Sequence, residues 1–72
     1  DLELSRQAFQ LLLDLYPQHN KVPDATYKLA TVYFAKGNPS KARELLDAVI
    51  RQHGSKNHPA AKLAQQFLDN NF

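Results

Sequence analysis

The sequence predicts an all-α fold of antiparallel helical hairpins, and three observations support this prediction. The two glycines and four prolines fall almost entirely where helices should begin or end. Between them, apolar residues recur with helical spacing. Period-two runs of β-branched residues, which would indicate strands, do not occur. We therefore expect one domain over residues 1–72, with helices at about 2–16, 23–36, 39–53 and 59–70.

The first predicted helix is apolar on two sides. One stripe, Ser5, Phe9, Leu12, Leu13 and Tyr16, matches the stripe of the third helix when the chain is shifted by 37 residues. A second stripe, which we call the leucine stripe, consists of Leu4, Ala8, Leu11 and Leu15. A helix with two apolar sides should have neighbours on two sides. The second helix can cover one of them. The other is expected to meet an upstream helix that this chain lacks, or another copy of the chain through Leu4, Leu11 and Leu15.

The second and third predicted helices are joined by a hinge at Gly37-Asn38-Pro39. Gly37 can adopt the left-handed backbone conformation that ends a helix. Asn38 can cap the next helix, and Pro39 suits its first position because no amide donor is needed there. Ala30 and Ala42 lie one turn or more from the hinge. Their small side chains should let the two helix backbones approach closely.

The third and fourth predicted helices each have one apolar stripe. In the third helix it consists of Ala42, Leu45, Leu46, Val49 and Ile50. In the fourth it consists of Ala60, Leu63, Ala64, Phe67 and Leu68, opposite the polar residues Lys62, Gln65, Gln66 and Asp69. One apolar and one polar side are typical of a helix that caps a stack.

Composition argues against several functional classes. The net charge is +2 and the lysines are scattered, whereas nucleic-acid binders gather basic residues on one face. No apolar run approaches the roughly 20 residues that span a bilayer. The chain has no cysteine, and His19, His53 and His58 are interpreted as exposed loop residues with no ligand role, so no metal or cofactor is expected. No serine has an expected base beside it, so we predict no enzymatic activity.

The chain resembles tetratricopeptide repeats, which have two helices per unit and small residues where the helices cross. The resemblance rests on Leu29-Ala30, Tyr33, Gly37-Asn38, Ala42, Leu46 and Val49. It implies a solenoid of about one and a half repeats with a capping helix. Thr26 and Ala30 depart from the pattern, which favours tryptophan and glycine at those positions.

A narrower resemblance is to the periplasmic Tol–Pal-associated cell-division coordinator family, CpoB or YbgF. It rests on Tyr16-Pro17, Pro23-Asp24-Ala25, Tyr27-Lys28-Leu29, Ser40-Lys41-Ala42, Val49-Ile50 and residues 60–65. It implies the C-terminal part of a longer periplasmic protein that binds TolA and helps couple outer-membrane constriction to peptidoglycan synthesis. His53-Gly54 replaces the family's usual Tyr-Pro. Outer-membrane assembly lipoproteins similar to BamD carry similar helices and are an alternative.

The predicted binding surface lies on the second helix, because the first helix of each stacked pair lines the concave side. We call it the α2 face, after the second predicted helix (residues 23–36), and it consists of Asp24, Tyr27, Lys28, Thr31 and Phe34, with Ala35 at its end. Tyr27 and Phe34 are expected to be exposed aromatic anchors for a partner helix or extended peptide. In the alternative, Phe34 packs on helix one or four. Some repeats of this fold hold a C-terminal carboxylate with a Lys and Asn set, but Asp24, Tyr27 and Thr31 at those places argue against that mode.

Overall fold

The computed structural model describes all 72 residues and contains four α-helices. They are α1 (Leu2–Leu15), α2 (Val22–Ala35), α3 (Pro39–His53) and α4 (Pro59–Asn71), and a 3₁₀ turn at Gly54–Lys56 precedes α4. α1 packs on α2, α2 packs on α3, and α4 packs on both α2 and α3. The all-α prediction is confirmed, and each predicted helix end lies within one residue of the observed one. None of the helices has the length and apolar character needed to cross a membrane.

The hinge between α2 and α3 has the predicted chemistry. Gly37 has a φ of +86°, and its N–H donates to the carbonyl of Phe34 while the Asn38 N–H donates to that of Tyr33. These two bonds form a Schellman motif, which satisfies carbonyls that the end of α2 would otherwise leave free. The Asn38 side chain accepts the Lys41 N–H at 3.3 Å. The hinge therefore ends one helix and caps the next within three residues.

Small residues occupy the centre of the molecule. Ala30 of α2 and Ala42 of α3 are both 0% exposed, as expected where two helix backbones lie close together. Ala30 belongs to a core cluster with Leu46, Val49 and three alanines of α4. Interiors pack to crystal-like density, so larger side chains at these positions would separate the helices.

α4 joins this core through a stripe that differs from the predicted one. Ala60, Ala61 and Ala64 are buried, and Phe67 and Leu68 pack partly against them. Leu63, which was predicted to belong to the stripe, is 43% exposed, so that prediction was wrong. The three alanines bring α4 close to its neighbours, which leaves Leu63 on the flank of the contact.

α1 is the least buried helix and contributes no fully buried residue. Phe9, Leu12 and Leu13 are half-buried, whereas Tyr16 of the same predicted stripe is exposed. The exposed fractions of Leu4, Leu11 and Leu15 are 64%, 57% and 59%. The expectation that α2 covers only one of the two apolar sides is therefore confirmed.

A polar contact also holds α1 to α2. Both carboxylate oxygens of Glu3 accept from the Lys36 ammonium at 3.0 Å, and the Arg6 guanidinium donates to the same carboxylate. The hydrogen bond from Arg6, followed by that from Lys36, lowers the pKa of Glu3. The hydrogen bond that Arg6 donates to Glu3 in turn raises the pKa of Arg6. This contact ties the first turn of α1 to the end of α2.

Candidate functional site

The α2 face is one continuous side of a single helix. Its residues recur at spacings of three and four, so they lie on neighbouring turns. Lys28 is exposed, whereas Asp24, Tyr27, Thr31 and Phe34 are half-buried. Pro23 lies in the first turn of this helix, where no amide donor is needed, and Asp24 in the same turn complements the positive end of the helix dipole. The structure thus places all five predicted residues side by side on α2.

The aromatic residues of the α2 face pack on α4. The ring of Phe34 lies edge-to-face with that of Phe67, with centroids 5.2 Å apart, and it also meets the ring of Phe72 at 5.6 Å. Tyr27 contacts Phe67 in the same way at 6.4 Å. The prediction of two exposed aromatic anchors is corrected accordingly. The alternative, in which Phe34 packs on helix four, is the observed arrangement, because α4 lies against α2.

On the opposite edge, the α2 face borders a hollow between α1 and α2. The hollow has a volume of about 270 Å³. Its lining residues are Phe9, Leu12, Lys21, Asp24, Ala25 and Lys28. An apolar floor with charged side chains at the rim is the usual construction of a site that takes an apolar side chain of a partner.

The polar groups of the α2 face differ in whether they are free to bind a partner. The Thr31 hydroxyl donates to the carbonyl of Lys28 at 2.7 Å, so its proton is already used within the helix. Lys28 and Asp24 take part in none of the ion pairs of the chain. These two charges remain available to a partner.

Two residues that complete the surface were missed as binding residues by the sequence analysis. Phe67 was assigned to the core stripe of the fourth helix, and Phe72 lies beyond the predicted helix end at residue 70. In the structure, Phe72 is 48% exposed and its N–H donates to the carbonyl of Leu68, which extends the last helical turn. Because each residue is separated from α2 by more than 30 positions, only the tertiary contact reveals them.

The three histidines lie together in a second cleft, at the loop edge of the molecule. This cleft has a volume of about 600 Å³ and is lined by His19, His53, Lys56 and His58, among others. The ring centroids of His53 and His58 are 5.7 Å apart, and both residues are half-buried. The expectation of exposed loop histidines therefore holds for His19 alone. No group of three or more histidine or carboxylate side chains is arranged to hold a metal ion.

The hairpins, the hinge and the small residues at the helix crossing agree with a known family of helical repeats. A tetratricopeptide-repeat family model matches residues 5–66. Comparison with curated proteins and with solved structures gave no match. The family match includes the α2 face, all of α3 and most of α4. The chain therefore belongs to the tetratricopeptide-repeat family, whose helical repeats bind other proteins and are generally not catalytic.

Proposed function

We propose that the α2 face, extended by Phe67 and Phe72, binds an amphipathic helix or an extended segment of a partner protein. The observation that carries this proposal is the continuity of the surface across three helices. The hollow against α1 lies along one edge, and the aromatic cluster with α4 lies along the other. Such a surface offers a pocket for one apolar anchor and aromatic rings for another.

The charges at the rim favour a partner that presents both signs. Lys28 and Lys21 flank the hollow together with Asp24. Charged groups around an apolar contact mainly speed encounter and fix the orientation of the partner, while the apolar anchors supply most of the affinity.

We further propose TolA as the partner and the periplasm of a Gram-negative cell as the location. The support is the resemblance of residues 16–68 to the Tol–Pal-associated coordinator family. In this role the chain is a non-catalytic adaptor between TolA and the machinery of envelope constriction.

The test is a titration of the isotope-labelled chain with the helical domain of TolA. We expect the amide signals of Tyr27, Thr31 and Phe34 to shift and saturate. The signals of Leu4 and Leu11, on another side of the molecule, should stay in place. Saturable shifts that avoid the α2 face would overturn the assignment of the surface, and no shift at all would exclude TolA.

A second proposal concerns the leucine stripe. Its members are spaced by four, three and four residues, which is the spacing of a coiled-coil seam, with Ala8 allowing close approach. Burying each half-exposed leucine is worth about 1–2 kcal/mol. The outer side of α4 is polar, at Lys62, Gln65, Gln66 and Asp69, so it offers no apolar complement. We therefore propose that α1 pairs with α1 of a second copy, so that the same surface is buried on both.

Sedimentation velocity over a range of concentrations tests this pairing. The chain should form a dimer as concentration rises, and Leu11→Glu together with Leu15→Glu should abolish it. Gln66→Glu adds a charge to an exposed position on the polar side of α4, away from the stripe, and serves as the control. A wild-type chain that stays monomeric at high concentration would contradict the proposal.

A further inference from the structure

We propose that the histidine cleft, defined by His19, His53, Lys56 and His58, binds carboxylate side chains of an acidic peptide segment. This site is separate from the α2 face and is independent of the function proposed above. It lies where the loop after α1 meets the turn between α3 and α4.

Two of the histidine rings in the cleft accept hydrogen bonds from the backbone. The Nδ1 of His58 accepts the Ala60 N–H at 3.0 Å, and the Nδ1 of His19 accepts the Lys21 N–H at 3.0 Å. An imidazole nitrogen that accepts a hydrogen bond carries no proton, so the proton of each neutral ring is on Nε2. Neither Nε2–H has an acceptor within the chain. Two backbone contacts thus fix two rings of one cleft as N–H donors.

The same hydrogen bonds argue against a metal site. A metal would need the lone pair of Nε2, which the fixed tautomer does not offer. Binding through Nε2 would move the proton to Nδ1 and break the cap at the start of α4, which His58 supplies. The cleft is therefore built to donate hydrogen bonds rather than to ligate a cation.

The charge of the cleft favours an anionic ligand. Every lining side chain is basic or uncharged, and the uncharged polar ones are the amides Gln18, Asn20 and Gln52. Two helix N-termini, of α2 and α4, and two C-termini, of α1 and α3, meet at this edge, so their dipoles oppose one another. The side chains therefore determine the sign of the electrostatic potential in the cleft. It is positive because Lys56 is present and no acidic side chain lines the cleft.

The single positive charge of the lining and its N–H donors favour a carboxylate ligand. Lys56 is the one permanent cation of the lining, which matches a monoanionic carboxylate. Phosphate carries about two charges at neutral pH and is held best by several cations or by arginine forks. The volume of about 600 Å³ exceeds that of a small ion and fits a side chain with part of its backbone. An Asp- or Glu-rich segment of another protein meets these conditions.

The experiment is a titration of the full labelled chain with the peptide acetyl-Glu₄-amide, followed through the imidazole nitrogens and the backbone amides. Before peptide is added, His19 and His58 should show the Nε2–H tautomer. On titration, their signals and those of Lys56 should shift and saturate. Acetyl-Gln₄-amide, of equal length and no charge, should produce no shift. Inorganic phosphate, as the other source of an anionic oxygen, should bind more weakly than the peptide.

Two variants of the cleft and one control variant on α4 give the test its specificity. Lys56→Gln should weaken peptide binding by about fivefold, whereas Lys62→Gln removes the same charge from the exposed side of α4 and should change it less than about twofold. His58→Asn preserves an N-cap residue while removing the imidazole. It should fold normally and bind the peptide more weakly.

Three outcomes would overturn the proposal. Equal losses from Lys56→Gln and Lys62→Gln would show a non-specific charge effect. Tighter binding of phosphate than of the peptide would assign the cleft to another ligand. Absence of saturable shifts at the histidines would mean that no carboxylate site exists there.

Discussion

Replacement of Gly37 by alanine tests whether the hinge requires glycine for its backbone conformation alone. Its φ is +86°, and a Cβ built at this position would meet nothing within 4 Å. The cost of Gly37→Ala is therefore the backbone strain of a left-handed residue with a side chain, about 1–2 kcal/mol. For a domain of this size the midpoint of thermal unfolding should fall by about 5–15 °C.

Gly54 supplies a matched control. It lies in right-handed helical conformation, with φ −63° and ψ −39°, and an added Cβ would make an ordinary contact of 3.7 Å with Ile50. Gly54→Ala should therefore be neutral or should stabilise the fold by about 0.4–1 kcal/mol. Thermal unfolding followed by circular dichroism compares the two variants. Gly37→Asn should recover part of the loss, because Asn tolerates the left-handed region. Equal unfolding midpoints for Gly37→Ala and Gly54→Ala would show that the hinge does not require the left-handed conformation of Gly37.

Glu3, Asn38 and Ala42 stabilise the fold through an ion pair, a helix cap and a helix crossing, respectively. Because the pKa of Glu3 is lowered in the folded chain, its contribution to stability is present above its unfolded pKa and is lost as pH falls through the folded value. Urea unfolding at several pH values should show this acid-side loss, and Glu3→Gln should reduce it. Asn38→Ala should cost about 1 kcal/mol by removing the cap of α3, whereas Asn38→Ser should cost only a few tenths. Ala42→Val should cost about 1–3 kcal/mol by overpacking the helix crossing, and Ala35→Val at an exposed position should not. Unchanged urea midpoints for Asn38→Ala or Ala42→Val would contradict the roles given to those residues.

The features that the sequence predicted well are those set by neighbouring residues. The Gly37-Asn38-Pro39 hinge depends on backbone conformation and one side-chain cap, so its structure follows from three adjacent residue types. The leucine stripe likewise follows from the spacing of apolar residues along one helix. The short hinge and the small residues Ala30 and Ala42 then determine that α2 pairs with α3.

The features that the sequence did not predict depend on how α4 is rotated and where the loops meet. Ala61 and Leu63 lie on opposite flanks of the apolar stripe of α4. Ala61 is buried and Leu63 is exposed because α4 packs closely on its neighbours through its alanines. Phe34 is half-buried because Phe67, 33 residues later, lies over it. The histidine cleft joins two loops that are remote in sequence, so no local spacing indicates it.

Two surface variants, each measured in two assays, test whether the α2 face and the leucine stripe have separate roles. Thr31→Arg places a bulky charge in the middle of the α2 face, and Leu11→Glu does the same on the leucine stripe. Calorimetry with the helical domain of TolA should show at least about a tenfold loss of affinity for Thr31→Arg. Leu11→Glu and the control Gln65→Arg should bind as the wild-type chain does. In sedimentation, Leu11→Glu alone should lose self-association, and Thr31→Arg and Gln65→Arg should associate as the wild-type chain does. If Leu11→Glu weakens TolA binding while Thr31→Arg leaves it unchanged, the assignment of the two faces is wrong.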